Sequence, residues 1–351
     1  MKLPTLAVVV ALLVVVGPSL AERPTDLVAP KFVVDPSWPK PLPNRWKLGQ
    51  VSGVAVDSRD HVWIVQRPKT VSDGDRGAAP APPVIEFDPE GNVVQAWGGP
   101  GSGYDWPVSE HGIFVDHRDN VWLAGNGARD HQVLKFTRAG RFLMQIGKPG
   151  AGGHDGDVRN LGRPADVRVD PTNDELYVAD GYGNHRVIVF DAATGSYKRH
   201  WGANGRPPGE PGIRPFGLVH CVRIARDGLV YVCDRRHNRI QVFRRDGTFV
   251  KEIAVAPDTR GAGAVWDLEF SVDAAQTYLY TADGENNHVW ILLRDPGRIL
   301  GRFGRHGRDA GQLHWVHNLA VDSRGNLYTT EVDTGKRVQK FAHRGLAPVK
   351  P

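Results

Sequence analysis

Asp166-Val167-Arg168-Val169-Asp170, then Leu176-Tyr177-Val178-Ala179, then a segment ending at Phe190, then Tyr197 to Trp201, make four short β-prone runs in under forty residues. Each run is bounded by polar turn residues, the pattern of a four-stranded antiparallel sheet. The unit recurs. The second run reappears as Val62-Trp63-Ile64-Val65, Val121-Trp122-Leu123-Ala124, Val230-Tyr231-Val232-Cys233, Leu279-Tyr280-Thr281-Ala282 and Leu327-Tyr328-Thr329-Thr330. The first run reappears as Gly53 to Asp57, Gly112 to Asp116, Cys221 to Ala225, Asp267 to Ser271 and Asn318 to Asp322. Third runs end at Phe87, Phe136, Phe243, Leu292 and Phe341. Fourth runs follow at Val93 to Trp97, Phe142 to Ile146, Phe249 to Ile253 and Ile299 to Phe303. A four-stranded unit repeated at a period of roughly 45 to 60 residues is the blade of a β-propeller.

The sixth copy lacks a fourth run, and an orphan run, Lys31-Phe32-Val33-Val34-Asp35, precedes the first copy. The orphan is expected to complete the last blade and remove the edges an open ring would leave. The expected fold is all-β: a six-bladed β-propeller closed by an N-terminal strand. The blades resemble NHL repeats, most visibly at Asp180-Gly181-Tyr182-Gly183-Asn184-His185-Arg186. The expected organisation is a signal peptide over 1–21, an N-terminal segment over 22–48 containing the closing strand 31–35, the propeller over 49–345 and a tail over 346–351. The insert from Lys69 to Pro83, rich in Ala, Pro, Gly and Asp, reads as a flexible surface loop.

Composition agrees with many turns and short strands: of 351 residues, 41 are Gly, 26 Pro and 10 Trp. The formal charge is +5, from 44 basic and 39 acidic residues that are interspersed along the chain. No basic stripe for nucleic acid follows from that pattern. Lys2, the apolar run Leu6 to Val16, the break at Gly17-Pro18 and the small residues of Ser19-Leu20-Ala21 follow the signal-peptide pattern. The run is shorter than the ~20 residues of a membrane span. A secreted or periplasmic protein, free of the membrane after cleavage near Glu22, is expected. An uncleaved anchor is the alternative. Export permits disulfides, and the two cysteines, Cys221 and Cys233, flank a hairpin turn. A three-residue turn would place them opposite each other; a two-residue turn would not.

One slot carries chemistry. Five residues before the strand-ending Asp or its equivalent, the six copies hold Ser52, His111, Ala165, His220, Trp266 and His317. Histidine therefore falls in blades two, four and six, a third of a turn apart around the axis. Hydrogen-bonded core histidines would explain one such residue, not three in one ring. Three imidazoles at equal depth leave a tetrahedral ion one open position, the arrangement of a catalytic zinc; iron is the other candidate. His185, His237 and His288 fall in turns and read as solvated or locally bonded.

With these histidines in place, the chain resembles peptidyl-α-hydroxyglycine α-amidating lyase over nearly its whole length after the leader. The resemblance is carried by Val51-Ser52-Gly53-Val54-Ala55 with Gln66-Arg67, His111-Gly112, His131-Gln132-Val133, Ala179-Asp180-Gly181-Tyr182, Asp234-Arg235 with Asn238-Arg239, and Val316-His317-Asn318. It implies zinc ligands at His111, His220 and His317, an active-site tyrosine at Tyr182, and active-site arginines at Arg67 and Arg235. It also implies a weaker calcium site at Val54, Ile113 and Asn318. Here Asn318 stands where that family has aspartate, and Gln66 where it has histidine. The implied reaction is carbon–nitrogen lysis of an N-acyl α-hydroxyglycine, a small molecule or peptide with a carboxylate, to an amide and glyoxylate. The residue types suit it. A metal polarises a hydroxyl, a tyrosine moves its proton, and an arginine matches a carboxylate. Competing readings are a non-catalytic propeller binding protein, peptide or glycan, and a calcium-dependent lactonase. The histidine ring argues against the lactonase, whose site uses acidic and Asn ligands.

Overall fold

A computed structural model describes residues 27–72, 79–202 and 216–349. The expected leader over 1–21 lies outside the described residues, as does part of the insert from Lys69 to Pro83. Six four-stranded antiparallel sheets form six blades, and a two-stranded sheet joins Trp46–Lys47 to Ala79–Pro80. From the axis outward, blade one runs Gln50–Val56, Val62–Arg67, Val84–Phe87 and Val93–Trp97. The inner strands of blades two to six are Glu110–Val115, Asp166–Asp170, Val219–Ile224, Asp267–Phe270 and Val316–Val321.

The orphan strand closes the ring. Val28–Asp35 pairs antiparallel with Arg337–Pro348, which is the third strand of blade six and runs from Val28 opposite Pro348 to Asp35 opposite Lys340. The closing strand is thus longer than 31–35, and its partner reaches past residue 345. Phe32 fixes it, meeting Tyr280 at 5.3 Å and Phe303 at 5.2 Å between ring centroids.

Strands in the middle of each blade are buried on both faces, as in Glu175–Asp180. That explains why they read as continuous apolar runs instead of alternating. The core is six clusters, one at each junction between neighbouring blades. Ala55, Trp63 and Val65 of blade one, for example, pack on Ile113, Val121 and Leu134 of blade two. Tyr177, Val187 and Val189 of blade three pack on Val222, Val230 and Val232 of blade four.

Four of the six inner hairpins, those of blades one, two, four and six, share one turn. Asp57, Asp116, Ala225 and Asp322 each donate a backbone N–H to the residue four positions on, enclosing three residues. The last of the three is left-handed: Asp60, Asp119, Gly228 and Gly325 have φ of 62°, 60°, 82° and 81°. This is the three-residue hairpin loop with a bulge. In blade four it sets Cys221 opposite Cys233, and the two form a disulfide.

Replacing Phe32 with alanine is expected to cost about 2 kcal/mol, from the apolar surface it buries across two blades. Val33, exposed on the other face of the same strand, should tolerate alanine within about 0.5 kcal/mol. Urea unfolding midpoints of the two variants test whether the closing strand holds the ring.

Candidate metal and anion site

The histidine slot lies at the start of the inner strand, where the pairing register breaks. The breaks fall between Val51 and Gly53, Glu110 and Ile113, Val219 and Cys221, and Val316 and Leu319. Each break contains the slot residue: Ser52, His111, His220 or His317. Bulges of this kind re-aim a side chain out of the alternating pattern. Here they bring three imidazoles together on the axis. Ring centroids lie 4.7 to 5.0 Å apart. One ring nitrogen of each histidine lies within 4.8 Å of one from each of the others, and all three residues are buried.

The other ring nitrogens are committed. His111 Nδ1–H donates to the Ala165 carbonyl at 2.7 Å, and His220 Nδ1–H donates to the Trp266 carbonyl. His317 Nδ1–H donates to Asn318 Oδ1. Each Nε2 is therefore left with its lone pair. Burial, with the neighbouring cations adding to it, holds all three imidazoles well below the usual histidine range, so they stay neutral. Neutral rings with fixed Nδ1–H tautomers are the ligating form of histidine. The set fits a tetrahedral or five-coordinate transition metal such as zinc or iron.

Two glycines make the approach close enough. A Cβ on Gly112, next to His111, would lie 2.6 Å from the Ala165 carbonyl oxygen that orients His111. A Cβ on Gly181 would lie 1.9 Å from the Val219 carbonyl oxygen. Its absence lets the turn after Glu175–Asp180 lean onto blade four. Tyr182 on that turn reaches the histidines: its Oη is 3.0 Å from His111 Nε2 and 3.1 Å from His220 Nε2.

Arg67 ends the second strand of blade one, and Arg235 follows the second strand of blade four. Antiparallel order puts both on the histidine face. Arg235 stacks 3.4 Å from the Trp266 ring centroid, and donates to Tyr182 Oη at 3.3 Å and to the Ala262 carbonyl at 2.8 Å. Arg67 donates to the Glu110 carbonyl at 2.9 Å, Gln50 Oε1 at 2.7 Å and Asn126 Oδ1 at 3.2 Å. Every one of these acceptors is neutral. By contrast, the buried arginines Arg168, Arg186, Arg223 and Arg239 each pair with a carboxylate. Burial pulls both Arg67 and Arg235 below their usual pKa. Among the described residues neither guanidinium has a carboxylate within ion-pair distance. Glu110 and Asp130 act on Arg67, and Glu285 on Arg235, only at longer range, so two desolvated cations facing one cavity are a site for an anion. That cavity, about 300 Å³, is lined by Gln50, Arg67, Asn126, Tyr182, Arg235 and Trp315, with His317 and Asp333 also in its wall; the Asp333 carboxylate is paired with His314.

Arg163, Asn126 and Trp315 escaped the sequence reading. Arg163 lies over the Tyr182 ring, 5.7 Å from its centroid, and donates to the Asn126 carbonyl at 2.9 Å. Asn126 holds the repeat position of Arg67 and Arg235, and Arg163 and Trp315 stand two residues before the slot, as Gln50 does; the residue type at these offsets varies from blade to blade, so no recurring residue marks them. Gln66 is structural: it accepts from Gly49 N–H at 2.8 Å and donates to the Ala81 carbonyl at 2.6 Å.

The implied calcium set does not fit. Val54 and Ile113 lie on inner strands, but the Asn318 oxygen is taken by His317 and its nitrogen donates to Asp267 Oδ2 at 2.9 Å. A guanidinium already faces the second carbonyl, with Arg168 Nη1 3.5 Å from Ile113 O. An amide used on both sides beside a fixed cation leaves no oxygen cage for a hard ion.

With fold and geometry in hand, the relatives can be placed. The NHL repeat family matches residues 161–190 and 216–243, within blades three and four. The chain carries NHL repeats and has relatives named as amidating lyases. It is 27% identical over 340 residues to NHL repeat-containing protein 3 of Mus musculus, covering 89% of this chain and 84% of that protein. It is 26% identical over 356 residues to peptidyl-α-hydroxyglycine α-amidating lyase 1 of Drosophila melanogaster, covering 90% of this chain but only 60% of that one. A solved streptogramin B lyase superimposes with a TM-score of 0.55 at 12% identity, over 90% of this chain and 98% of that one. At that identity the likeness is one of fold.

Two outcomes follow from these charges. Arg235→Met removes a buried unpaired cation while keeping contact with Trp266, so the unliganded protein should gain about 1 kcal/mol in denaturant unfolding. A lowered midpoint would mean that the guanidinium's stacking and hydrogen bonds outweigh its desolvation. Calcium added to chelator-treated protein should leave the thermal midpoint unmoved; a rise with calcium concentration would show that an oxygen cage does form.

Proposed function

We propose that this chain is an exported, metal-dependent lyase that cleaves N-acyl α-hydroxyglycine-type substrates to an amide and glyoxylate. The observation that carries the reading is three neutral imidazoles whose Nε2 atoms converge with Tyr182 Oη, beside two buried guanidiniums that have no carboxylate within ion-pair distance among the described residues and that share one small cavity with His317. The amidating-lyase relatives support it. The signal-peptide pattern and the disulfide support export.

His111, His220 and His317 would hold zinc or iron through Nε2. Such an ion would polarise the substrate hydroxyl and favour loss of its proton. Arg67 and Arg235 would hold the substrate carboxylate, which becomes the carboxylate of glyoxylate. Asn126 and Gln50 fix the Arg67 guanidinium plane for that contact. Tyr182 Oη, within reach of two histidines and Arg235, would relay the proton. The hydroxyl gives up its proton, the oxygen's electron pair forms the aldehyde C=O, the C–N bond breaks, and the proton ends on the amide nitrogen. No oxidant is needed, because the leaving nitrogen takes the electron pair of the broken bond.

A propeller that binds a partner without chemistry is the second reading, supported by the similarity to NHL repeat-containing protein 3. It needs neither a metal nor the unpaired arginines.

The test is elemental analysis of protein from Glu22 onward, prepared without chelator, followed by glyoxylate release from α-hydroxyhippurate. About one zinc or iron per chain, lost in His220→Ala, is expected for a single closed site. Tyr182→Phe should lower kcat by about 100-fold or more, and Arg67→Ala should act chiefly by raising KM. Absence of a bound transition metal, with no glyoxylate formed, would leave the binding propeller.

A further inference from the structure

We infer that Asn318 is the positioning residue for the third metal ligand, held in place by a buried Arg223–Asp267 pair on the propeller axis. The inference rests on the three-histidine metal site proposed above.

The orienting contacts of the histidines alternate with the blades, and the third breaks the pattern. His111 of blade two is oriented by the carbonyl of Ala165, the slot residue of blade three. His220 of blade four is oriented by the carbonyl of Trp266, the slot residue of blade five. In blades three and five the slot residue lies just before the named strand, its N–H donating to the Ala179 or Ala282 carbonyl. By the same rule His317 of blade six would use the carbonyl of Ser52 in blade one. Blade one is bulged there, and the Ser52 hydroxyl donates to the Glu110 carbonyl at 2.8 Å. The His317 Nδ1–H goes instead to the side-chain oxygen of its own neighbour, Asn318.

A backbone carbonyl is fixed by its strand, whereas an amide side chain can turn over and present N–H₂ in place of oxygen. Asp267 prevents that. Its Oδ2 accepts from Asn318 Nδ2 and from Leu319 N–H, both at 2.9 Å. The Leu319 N–H donates to that same oxygen, which therefore accepts, so the amide nitrogen must face Asp267 and the amide oxygen must face His317. Asp267 is itself held by Arg223 Nη2 and by Leu268 N–H at 2.8 Å. Arg223 also pairs with Asp166, and with Glu269 at 2.8 Å. Arg223, Asp267, Asn318 and His317 are all buried. The line Arg223–Asp267–Asn318–His317 thus sets both tautomer and tilt of the third ring. It also accounts for asparagine where the lyase family has aspartate. An aspartate at 318 would set a second carboxylate within hydrogen-bond distance of Asp267.

The test reads the imidazole directly. In ¹⁵N-histidine-labelled, metal-free protein, the three axial histidines should all be Nδ1–H tautomers by nitrogen chemical shift. In Asn318→Ala, the His317 signal alone should move toward a tautomer mixture. Cobalt binding, followed by the visible absorption of the ion, should weaken by about 10- to 100-fold in Asn318→Ala with an altered band shape. An Nε2–H tautomer at His317 in the unsubstituted protein would overturn the inference, and does so even if Asn318→Ala fails to fold. Unchanged cobalt affinity and band shape in a folded Asn318→Ala would overturn it as well. Should the unsubstituted protein bind neither cobalt nor zinc, the metal reading itself fails and takes this inference with it.

Discussion

Each sheet of this protein has two apolar faces, and only another sheet can cover either of them. A lone blade cannot bury its middle strands, and a row of blades leaves its two end faces bare. Bending the row into a ring removes both bare faces, and the six inter-blade clusters are the result. The axis follows from this packing. Inner strands of all six blades converge there, so any residue type placed at one offset in alternate blades becomes a neighbour of its copies. Long-range convergence is obtained from a local repeat, without any pair of histidines being close in sequence.

The same convergence imposes costs that the axis handles differently along its length. At one level three imidazoles are kept neutral by burial, and two guanidiniums nearby have only neutral partners. Deeper in, Arg168 and Arg223 lie among Asp166, Asp267 and Glu269, charge against charge. Both layers face a cavity, but the first is left unbalanced and the second is compensated. Stability and ligand capture are therefore separated along one line, with Asp267 and Asn318 as the connection between them.

The repeat made the fold legible. Its period, the absent sixth fourth strand and the orphan at Phe32 together fix a closed six-bladed ring before any coordinates are known. The histidine slot was legible for the same reason, because an offset inside a repeat is a position in space. Offsets whose residue type changes from blade to blade were not. Arg163 and Trp315 share the offset of Gln50, and Asn126 that of Arg67 and Arg235, but no recurring residue type singles those offsets out. Pairing of Cys221 with Cys233 hung on one turn residue, settled by the Ala225–Leu229 contact that encloses three residues. Asn318 read as a weakened cation ligand only through the family resemblance. Its partner Asp267 is 51 residues away on the neighbouring blade, and a side-chain hydrogen bond across blades leaves no trace in composition or spacing.

The closing strand carries a kinetic consequence. Val28 finds its partner at Pro348, so the first described strand and the last must meet before the ring exists. Blades can form one after another along the chain, but the latch waits until Arg337–Pro348 is available. Chain entropy adds little for such a distant contact, because closure cost grows only with the logarithm of loop length. The delay lies in availability of the partner. Until Arg337–Pro348 has left the ribosome, blade six offers an unpaired edge to any passing strand. A chain lacking Arg337–Pro348 would keep that edge for its lifetime, and the pairing that closes the ring is also what withdraws it from other strands.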